Sequence, residues 1–360
     1  MHVALVIYGD LEATSGGFRY DRRLVAALRE RGDTVDVISL PWRRYPRGVL
    51  DGLSRTIRSR LDRPVDVLLQ DELCHPSLWY HNAKLTRPGT IVSLVHHLRS
   101  DDPGERFRAL FRPVERRYLA SVDATITTSA FTRRRAERLS PSVADRPSLV
   151  ARPAGRVEGA ALRPAQVAAR AYEGPLRIAF VGNLVPRKDP LTLIAAVDQG
   201  LRNGADWELT IVGSHEVTPR YAARVVDAAE KRAVGQRVRF TGELERAQLR
   251  AIFERSHLCC VPSRYEAFGM VYLEAMEFGV VPIASARGGA REFVDHGRNG
   301  LLVEPGSPET IARLLHAVDS DRDRLSALAE NAVETARSHP TWAESMASVR
   351  SFLQQVAPER

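Results

Sequence analysis

The chain has 360 residues, of which 44% are apolar and 27% charged, and carries a formal net charge of +8. At roughly 150 residues per domain this is a little over two domains, and the composition excludes a single small module, a low-complexity or collagen-like chain and a disordered one. No apolar run approaches the ~20 residues a membrane-spanning helix needs. Cys74, Cys259 and Cys260, with no CxxC or Cys/His ligand spacing, exclude a disulfide framework and argue against structural zinc.

In chain order, MHVALVIYGD reads as a buried strand. It lacks the basic start and small-residue cleavage site of a secretory leader, so a reducing cytoplasm is the expected location. Strand Val3–Tyr8 is followed by a glycine-bearing loop, Ser15-Gly16-Gly17, and a helix with Leu24, Val25 and Leu28 at helical spacing. Gly32 stops that helix and Thr34–Ile38 alternates as a second strand, which makes a βαβ unit. Apolar runs at Val65–Leu69, Thr90–Val95 and Ala124–Thr128 alternate with helix-like stretches and predict a doubly wound parallel sheet over residues 1–165.

Residues 151–175 carry Gly, Pro and Ala without strong periodicity and read as a linker or a short irregular passage. The pattern restarts at Leu176–Val181, with a helix from Pro190 and strands at Leu209–Val212, Val238–Phe240, Leu258–Val261, Val281–Ala284 and Leu301–Val303. This predicts a second doubly wound α/β domain over 174–338. Helices follow at Pro308–Asp319 and Arg322–Ser338. Pro340 breaks the second, and an amphipathic helix over 341–357 carries Trp342, Met346, Val349, Phe352 and Leu353. Its apolar stripe needs a surface, and the first domain is the expected one.

Charge is uneven. Residues 1–170 carry 29 Lys+Arg against 19 Asp+Glu, which is +10, and residues 171–360 carry 23 against 25, which is −2. The basic half attracts anions: phosphorylated substrates, anionic lipid or nucleic acid. Two segments concentrate it. Glu105–Tyr118 sets Phe107, Leu110, Phe111, Val114 and Tyr118 on one face, with Arg106, Arg108, Arg112, Arg116 and Arg117 around the rest, and Trp42–Arg63 holds seven more arginines with Trp42 and Tyr45. Such segments either lie on an anionic membrane or form arginine-coated core elements. Asp321-x-Asp323, which resembles a metal-binding DxD, sits among helical residues and reads as a solvated face, so no metal site is expected.

The chemistry is concentrated in Pro262–Asn299. Glu266 lies in the loop after a buried strand, and Ala267-Phe268-Gly269-Met270 opens a helix. Glycine at a helix start lets backbone N–H groups approach a phosphate, aided by the helix dipole. Glu274, one and a half turns in, is placed to accept two ribose hydroxyls. Gly288-Gly289, after the next strand, forms a second glycine turn with Glu292 beyond it. Together these describe a sugar-nucleotide pocket.

This stretch resembles the donor-site signature of glycosyltransferase family 4: Glu266 and Glu274, then Gly279 and Pro282, Ser285, Gly288-Gly289 with Glu292, and Gly297, Asn299 and Gly300. The resemblance implies the GT-B architecture, two Rossmann-like domains facing a cleft. It also implies a retaining, metal-independent transfer of a hexosyl group from a nucleoside-diphosphate sugar, with no cofactor. Phe180–Lys188 resembles the family's diphosphate-gripping loop. Lys188 matches its lysine, while Asn183 stands where the family commonly has arginine, and Arg187 is the nearby cation. Leu209–Gly213 and Phe240–Gly242 resemble the strand ends flanking the base. Gly16 and Gly17 resemble the first-domain glycines facing the diphosphate, and His96 matches a histidine near the transferred sugar. The implied catalytic residues are Glu266, Lys188 and His96. The implied donor-binding residues are Gly16, Gly17, Asn183, Arg187, Lys188, Gly213, Glu266, Ala267, Phe268, Gly269, Met270 and Glu274. An anionic, lipid-linked or sugar acceptor and peripheral membrane contact suit the basic half. The alternatives are another GT-B enzyme (a sugar-nucleotide epimerase or a phosphorylase) and a non-enzymatic anion- or nucleic-acid-binding protein. No helix-turn-helix, zinc-finger or RNA-binding signature is found, so no nucleic-acid partner is expected.

Overall fold

The computed structural model describes residues 1–13, 15–103, 105, 107–155, 164–232 and 235–358. Arg106 and residues 156–163 of the expected linker lie outside them. The chain forms two compact units, Met1–Ala154 with Pro340–Arg360, and Gly155–His339.

In the first unit the strands are β1 (His2–Tyr8), β2 (Thr34–Leu40), β3 (Val67–Asp71), β4 (Thr90–Val95), β5 (Ala124–Thr127) and β6 (Ser148–Val150). They form one parallel sheet in the order β2-β1-β3-β4-β5-β6. Helices on both faces explain why β1, β3 and β4 are near-continuous apolar runs rather than alternating ones. The helix Gly16–Glu30 starts at Ser15, whose hydroxyl accepts the Phe18 N–H, and buries Phe18, Leu24, Val25 and Leu28. Gly16 and Gly17 are its first turn, not a separate loop. The chain leaves through Gly32 at φ +81°, a conformation that favours glycine.

The last helix, Trp342–Val356, belongs to this unit. Thr341 and Glu344 form a reciprocal cap at its start. Its stripe packs on Gly16–Glu30, with the Trp342 and Tyr20 rings 5.7 Å apart edge to face, and Arg350 donates to Asp33 at 2.6 Å.

The second unit has β7 (Leu176–Val181), β8 (Trp207–Val212), β9 (Val238–Gly242), β10 (Leu258–Val261), β11 (Val281–Ser285) and β12 (Leu301–Val303). They are parallel in the order β12-β11-β10-β7-β8-β9, the Rossmann order read from the far edge. The order reverses between β7 and β10, so the switch-point crevice, where open α/β sheets bind their ligands, lies at the carboxyl ends of these two strands.

Two readings are corrected. The linker contains a helix, Pro164–Ala171, packed on Arg322–Ser338. Its buried Arg170 donates to the carbonyls of Phe253, Glu254, Phe278 and Gly279 at 2.7–3.3 Å. In the basic helix, Arg108–Leu119, only Phe111, Tyr118 and Leu119 of the apolar residues are buried, together with Glu115. Phe107 and Leu110 are 59% and 69% exposed, so the expected single apolar face is split. Glu115 is turned inward because it accepts the Arg99 and Ser100 N–H groups, at 2.8 and 3.1 Å, which end no ladder of their own.

Gly200 and the buried Trp207 set a close helix–sheet contact, since a Cβ on Gly200 would lie 1.9 Å from the indole. Alanine gains ~1 kcal/mol of helix propensity, but overpacking costs typically about 1–3 kcal/mol and more where the neighbour is rigid. Gly200→Ala is therefore expected to be net destabilising, read as a lower urea midpoint at unchanged slope.

Candidate active site

The loops leaving β7 and β10 meet. Lys188 Nζ donates to Glu266 Oε2, Ser263 Oγ donates to the same oxygen at 3.2 Å, and Arg187 Nη1 lies 3.9 Å from Glu266 Oε1. Further bonds tie the segments. Arg187 donates to the Tyr265 carbonyl at 3.1 Å, the Arg264 N–H to the Arg187 carbonyl at 2.8 Å, and Arg264 Nε to Asp189 Oδ2 at 3.0 Å. Asp189 has φ +51°, the one positive value of a non-glycine residue among the described residues.

Glu266 and Lys188 are both largely buried. Burial pushes the Glu266 carboxyl up, but the charges of Lys188 and Arg187 and the hydrogen bonds from Lys188 and Ser263 hold it below the usual carboxylate range. Burial pulls the Lys188 ammonium down, and Glu266 offsets part of that. The result is a buried ion pair.

Backbone proximity builds the rest. A Cβ on Gly213 would lie 2.1 Å from the Gly182 carbonyl oxygen and 3.1 Å from the Asn183 nitrogen, so the ends of β7 and β8 touch only because position 213 is glycine. Gly269, at φ +97°, turns the chain into the helix Met270–Met276, where a Cβ would strike the Tyr272 ring at 2.5 Å. Ala267 and Phe268 precede that turn, Phe268 with its ring 5.1 Å from that of Phe293. Glu274 is buried on this helix. Burial, then the Glu274 charge, pushes the nearby Cys259 thiol up to about 12.

Several signature residues hold the site from outside it. Gly289 N–H donates to the Glu266 carbonyl at 2.9 Å, and Cβ atoms on Gly288 and Gly289 would lie 2.2 and 2.0 Å from the Glu266 and Ala267 carbonyl oxygens. The second glycine turn is thus the backing of the Glu266 loop. Asn299 accepts the Asp295 N–H at 2.7 Å and donates to the Phe293 carbonyl at 2.8 Å. Asp321 caps a helix by accepting the Arg324 N–H, and Asp323 accepts from Tyr172.

In the first unit His96 follows β4 and meets the glycine turn: a Cβ on Gly17 would lie 3.2 Å from His96 Cδ2. Its Nε2 pairs with Asp21 Oδ1 at 3.0 Å, and its backbone N–H donates to Glu72 Oε2 at 2.7 Å. Asp21, Asp71 and His96 place ligand atoms within 4.8 Å of one another, the one such grouping among the described residues. Within it His96 pairs with Asp21, and Asp71 Oδ1 accepts the Leu73 N–H at 2.9 Å.

Ser263, Arg264, Asp189 and Asp21 join these clusters without standing in any motif of the sequence, and His215 has a buried Nε2 without a partner. Asp189 before Pro190 carried a signal, a turn-tolerant residue at a proline-opened helix. Asp21 carried one too, a carboxylate among the helix positions that point inward.

Fold and site define a GT-B protein, two Rossmann-like units with a charged cluster at a topological switch point. Residues 165–335 match the family described as Glycosyl transferases group 1. D-inositol 3-phosphate glycosyltransferase of Corynebacterium glutamicum is 33% identical over 180 residues, covering 49% of this chain and 42% of that protein. Glycogen synthase of Mycobacterium tuberculosis is 34% identical, covering 43% and 36%. The chain thus spans about two fifths of the length of these curated relatives. Sucrose-phosphate synthase from Thermosynechococcus elongatus shares the fold at a TM-score of 0.80 and 21% identity, over 99% of this chain and 98% of that one. HepE of Anabaena, in complex with UDP-glucose, shares it at 0.79 and 16%, over 99% and 100%.

Removing one member of a buried ion pair leaves the other uncompensated, at a cost of roughly 3–5 kcal/mol. Lys188→Met is expected at the low end, since Arg187 and Ser263 remain, and Lys188→Met with Glu266→Gln should recover most of the loss. Urea denaturation of the two variants measures this.

Proposed function

We propose that the protein is a retaining, metal-independent glycosyltransferase that moves a hexosyl group from a nucleoside-diphosphate sugar to an acceptor hydroxyl, without a cofactor. The observation that carries this reading is the Lys188–Glu266–Arg187 cluster at the β7/β10 switch point, inside the stretch that matches the Glycosyl transferases group 1 family. Open α/β sheets bind their ligands at that crevice. The second unit, Gly155–His339, takes the donor, and the first, Met1–Ala154 with Pro340–Arg360, takes the acceptor.

Loss of the diphosphate is the demanding step. Lys188 and Arg187 neutralise it, aided by the N–H groups around Phe268-Gly269 and Gly16-Gly17, which do the work a metal would otherwise do. Asn183, Gly213, Ala267 and Met270 line the donor, Glu274 holds the ribose, Glu266 meets the sugar hydroxyls and His96 lies by the transferred sugar. The acceptor attacks the face the leaving group vacates, and a diphosphate oxygen takes its proton. The proposed location is the cytoplasm.

A screen with UDP, GDP and ADP tests donor binding, because a ligand at 100 times its Kd adds about 2.7 kcal/mol of stability. Lys188→Ala is expected to lower kcat/KM by roughly 100-fold or more. Glu274→Ala should weaken binding of the bare nucleotide, and Glu266→Ala should spare it and lower kcat. Activity retained in EDTA tests metal independence. No nucleotide stabilising the protein would reject the reading.

On the acceptor side we propose an anionic, lipid-linked or sugar acceptor approached through peripheral membrane contact, with no nucleic-acid partner. Among the described residues no helix is long and apolar enough to cross a membrane. Arg112, Arg116, Arg117 and Arg138 line a groove of about 490 Å³ beside the helix Arg108–Leu119, next to exposed Phe107 and Leu110. Each basic residue near an anionic bilayer contributes about 1 kcal/mol. Replacing Arg108, Arg112 and Arg116 with glutamine should cut binding to phosphatidylserine vesicles about 100-fold at low salt and leave UDP affinity unchanged. Absence of vesicle binding by the wild type would reject membrane contact.

A further inference from the structure

The segment that follows β2 in the first unit carries an exposed tryptophan. Trp42 is 61% exposed, whereas Trp207 and Trp342 are buried and Trp79 is half-buried. Its ring is held from below. The Tyr8 ring, at the end of β1, lies 5.8 Å away at 46°, and the Phe18 ring, in the first turn of the helix Gly16–Glu30, lies 6.3 Å away at 50°. Both partners are buried, and the Tyr8 hydroxyl is fixed 2.6 Å from Ser77 Oγ. Gly9, at φ +66°, passes beside the indole, where a Cβ would lie 3.6 Å from Cε3. Trp42 is thus the exposed cap of an aromatic stack supplied by three elements. It stands at the carboxyl end of the sheet, where open α/β sheets take their ligands.

The backbone around the ring is stiff. Pro41 precedes Trp42, and Pro46 lies in the first turn of the helix Tyr45–Asp51, so φ is fixed on both sides. Arg43 Nε lies 2.9 Å from Asp51 Oδ2. In the loop after β1, Arg22 donates to the Leu11 and Ala13 carbonyls at 2.5 and 3.0 Å, and the Ser39 hydroxyl donates to the Gly9 carbonyl at 2.5 Å. A ring held in this way has little freedom left to lose on binding. Arg44 and Arg47 are exposed close by in the chain, and among the described residues no carboxylate pairs with either.

Shape and charge select what such a cap holds. The face of an aromatic ring is the negative side of its quadrupole and meets C–H groups of partial positive charge. A pyranose offers a face of such C–H groups with hydroxyls around its edge. The neighbouring chain is polar to match, with Asp10, Glu12, Arg44 and Arg47 all exposed. A lipid chain needs a contiguous apolar patch, and both ring partners of Trp42 are buried. A single-stranded nucleic acid needs successive stacking rings, and Trp42 is the one exposed ring of its stack. The unpaired arginines repel a cationic ligand and attract an anionic one.

We propose that Trp42 is a carbohydrate platform: its open face stacks a pyranose ring of the acceptor, and Arg44 and Arg47 favour a ring that bears an anionic group. The assignment rests on the proposed glycosyl transfer, in which the first unit takes the acceptor, and it names the chemical class of that acceptor.

The experiment follows the indole N–H signals of the four tryptophans in ¹⁵N-tryptophan-labelled full-length protein, with Trp42 assigned by Trp42→Phe. The probes are glucose 6-phosphate, glucuronate, methyl glucoside and glucosamine. The Trp42 signal is expected to shift saturably with glucose 6-phosphate and glucuronate, to need more methyl glucoside and to answer least to glucosamine, while the Trp207 signal stays in place. Saturation transfer to the sugar C–H protons reads affinity in the variants. Trp42→Ala should weaken glucose 6-phosphate binding about tenfold or more. Trp42→Phe, which keeps a ring, should retain most of it. Arg44→Gln with Arg47→Gln should bring glucose 6-phosphate to the level of methyl glucoside. The wild-type shifts need no variant, so a variant that does not fold leaves the test intact.

A Trp42 signal that no saccharide moves overturns the proposal. So does a folded Trp42→Ala protein that binds glucose 6-phosphate as the wild type does, and so does glucosamine binding as tightly as glucose 6-phosphate. A signal that answers only to phosphatidylserine vesicles, or only to an oligouridylate, makes the ring a membrane or nucleic-acid contact and overturns it too. A wild type that binds the sugars but no UDP, GDP or ADP keeps the saccharide site and rejects the glycosyltransferase reading instead.

Discussion

The ion pair between Lys188 and Glu266 is the contact around which the carboxyl ends of β7 and β10 are arranged. Two charges removed from water are tolerated only when each meets the other and the remaining lone pairs are met by further donors. Ser263 and Arg187 do this for Glu266. The requirement propagates outward. The loops after β7 and β10 must stay close, which the Arg187, Arg264 and Asp189 bonds secure. The Glu266 loop must in turn be backed by a strand end that approaches within van der Waals range of bare backbone, and Gly288-Gly289 are the residues that permit it.

The first unit answers the same topological problem with different chemistry. Its sheet order also reverses next to β1, and a buried charged cluster again lies at the carboxyl ends of the strands around that point. There the pair is Asp21 with His96, supplied by a helix and a strand end instead of two loops. A helix is the stiffer support, and its glycine turn lets the imidazole lie flush against backbone.

What was legible in the sequence follows from how each feature is encoded. Strands buried on both faces announce themselves as apolar runs, so β4, β7, β10 and β12 were read to the residue. Edge strand β6, three half-buried residues of Ser148–Val150, has no such run and was not read. The helix Pro164–Ala171 was hidden because its docking depends on Arg170, whose four carbonyl partners lie more than 80 residues away. The donor signature was readable as a pattern. The division of labour within it was not, because Gly288-Gly289 and Asn299 act through distances to backbone atoms that no spacing rule contains. Asp21 was missed for a related reason: an acid on a helix looks solvated until the strand end it faces is known.

The return of Trp342–Val356 to the first unit makes the second unit an insertion within the first. Its closing contacts, Tyr20 with Trp342 and Asp33 with Arg350, join residues separated by more than 300 positions. On a ribosome the chain from Gly155 to His339 emerges whole and free to fold while the sheet made before it still lacks the helix that covers Tyr20. The first part to be synthesised is therefore the last to be completed. During that interval the apolar surface of Gly16–Glu30 is open to whatever chaperone attends the nascent chain, so a pause in translation after His339 would lengthen the exposure of the first unit and leave the second untouched.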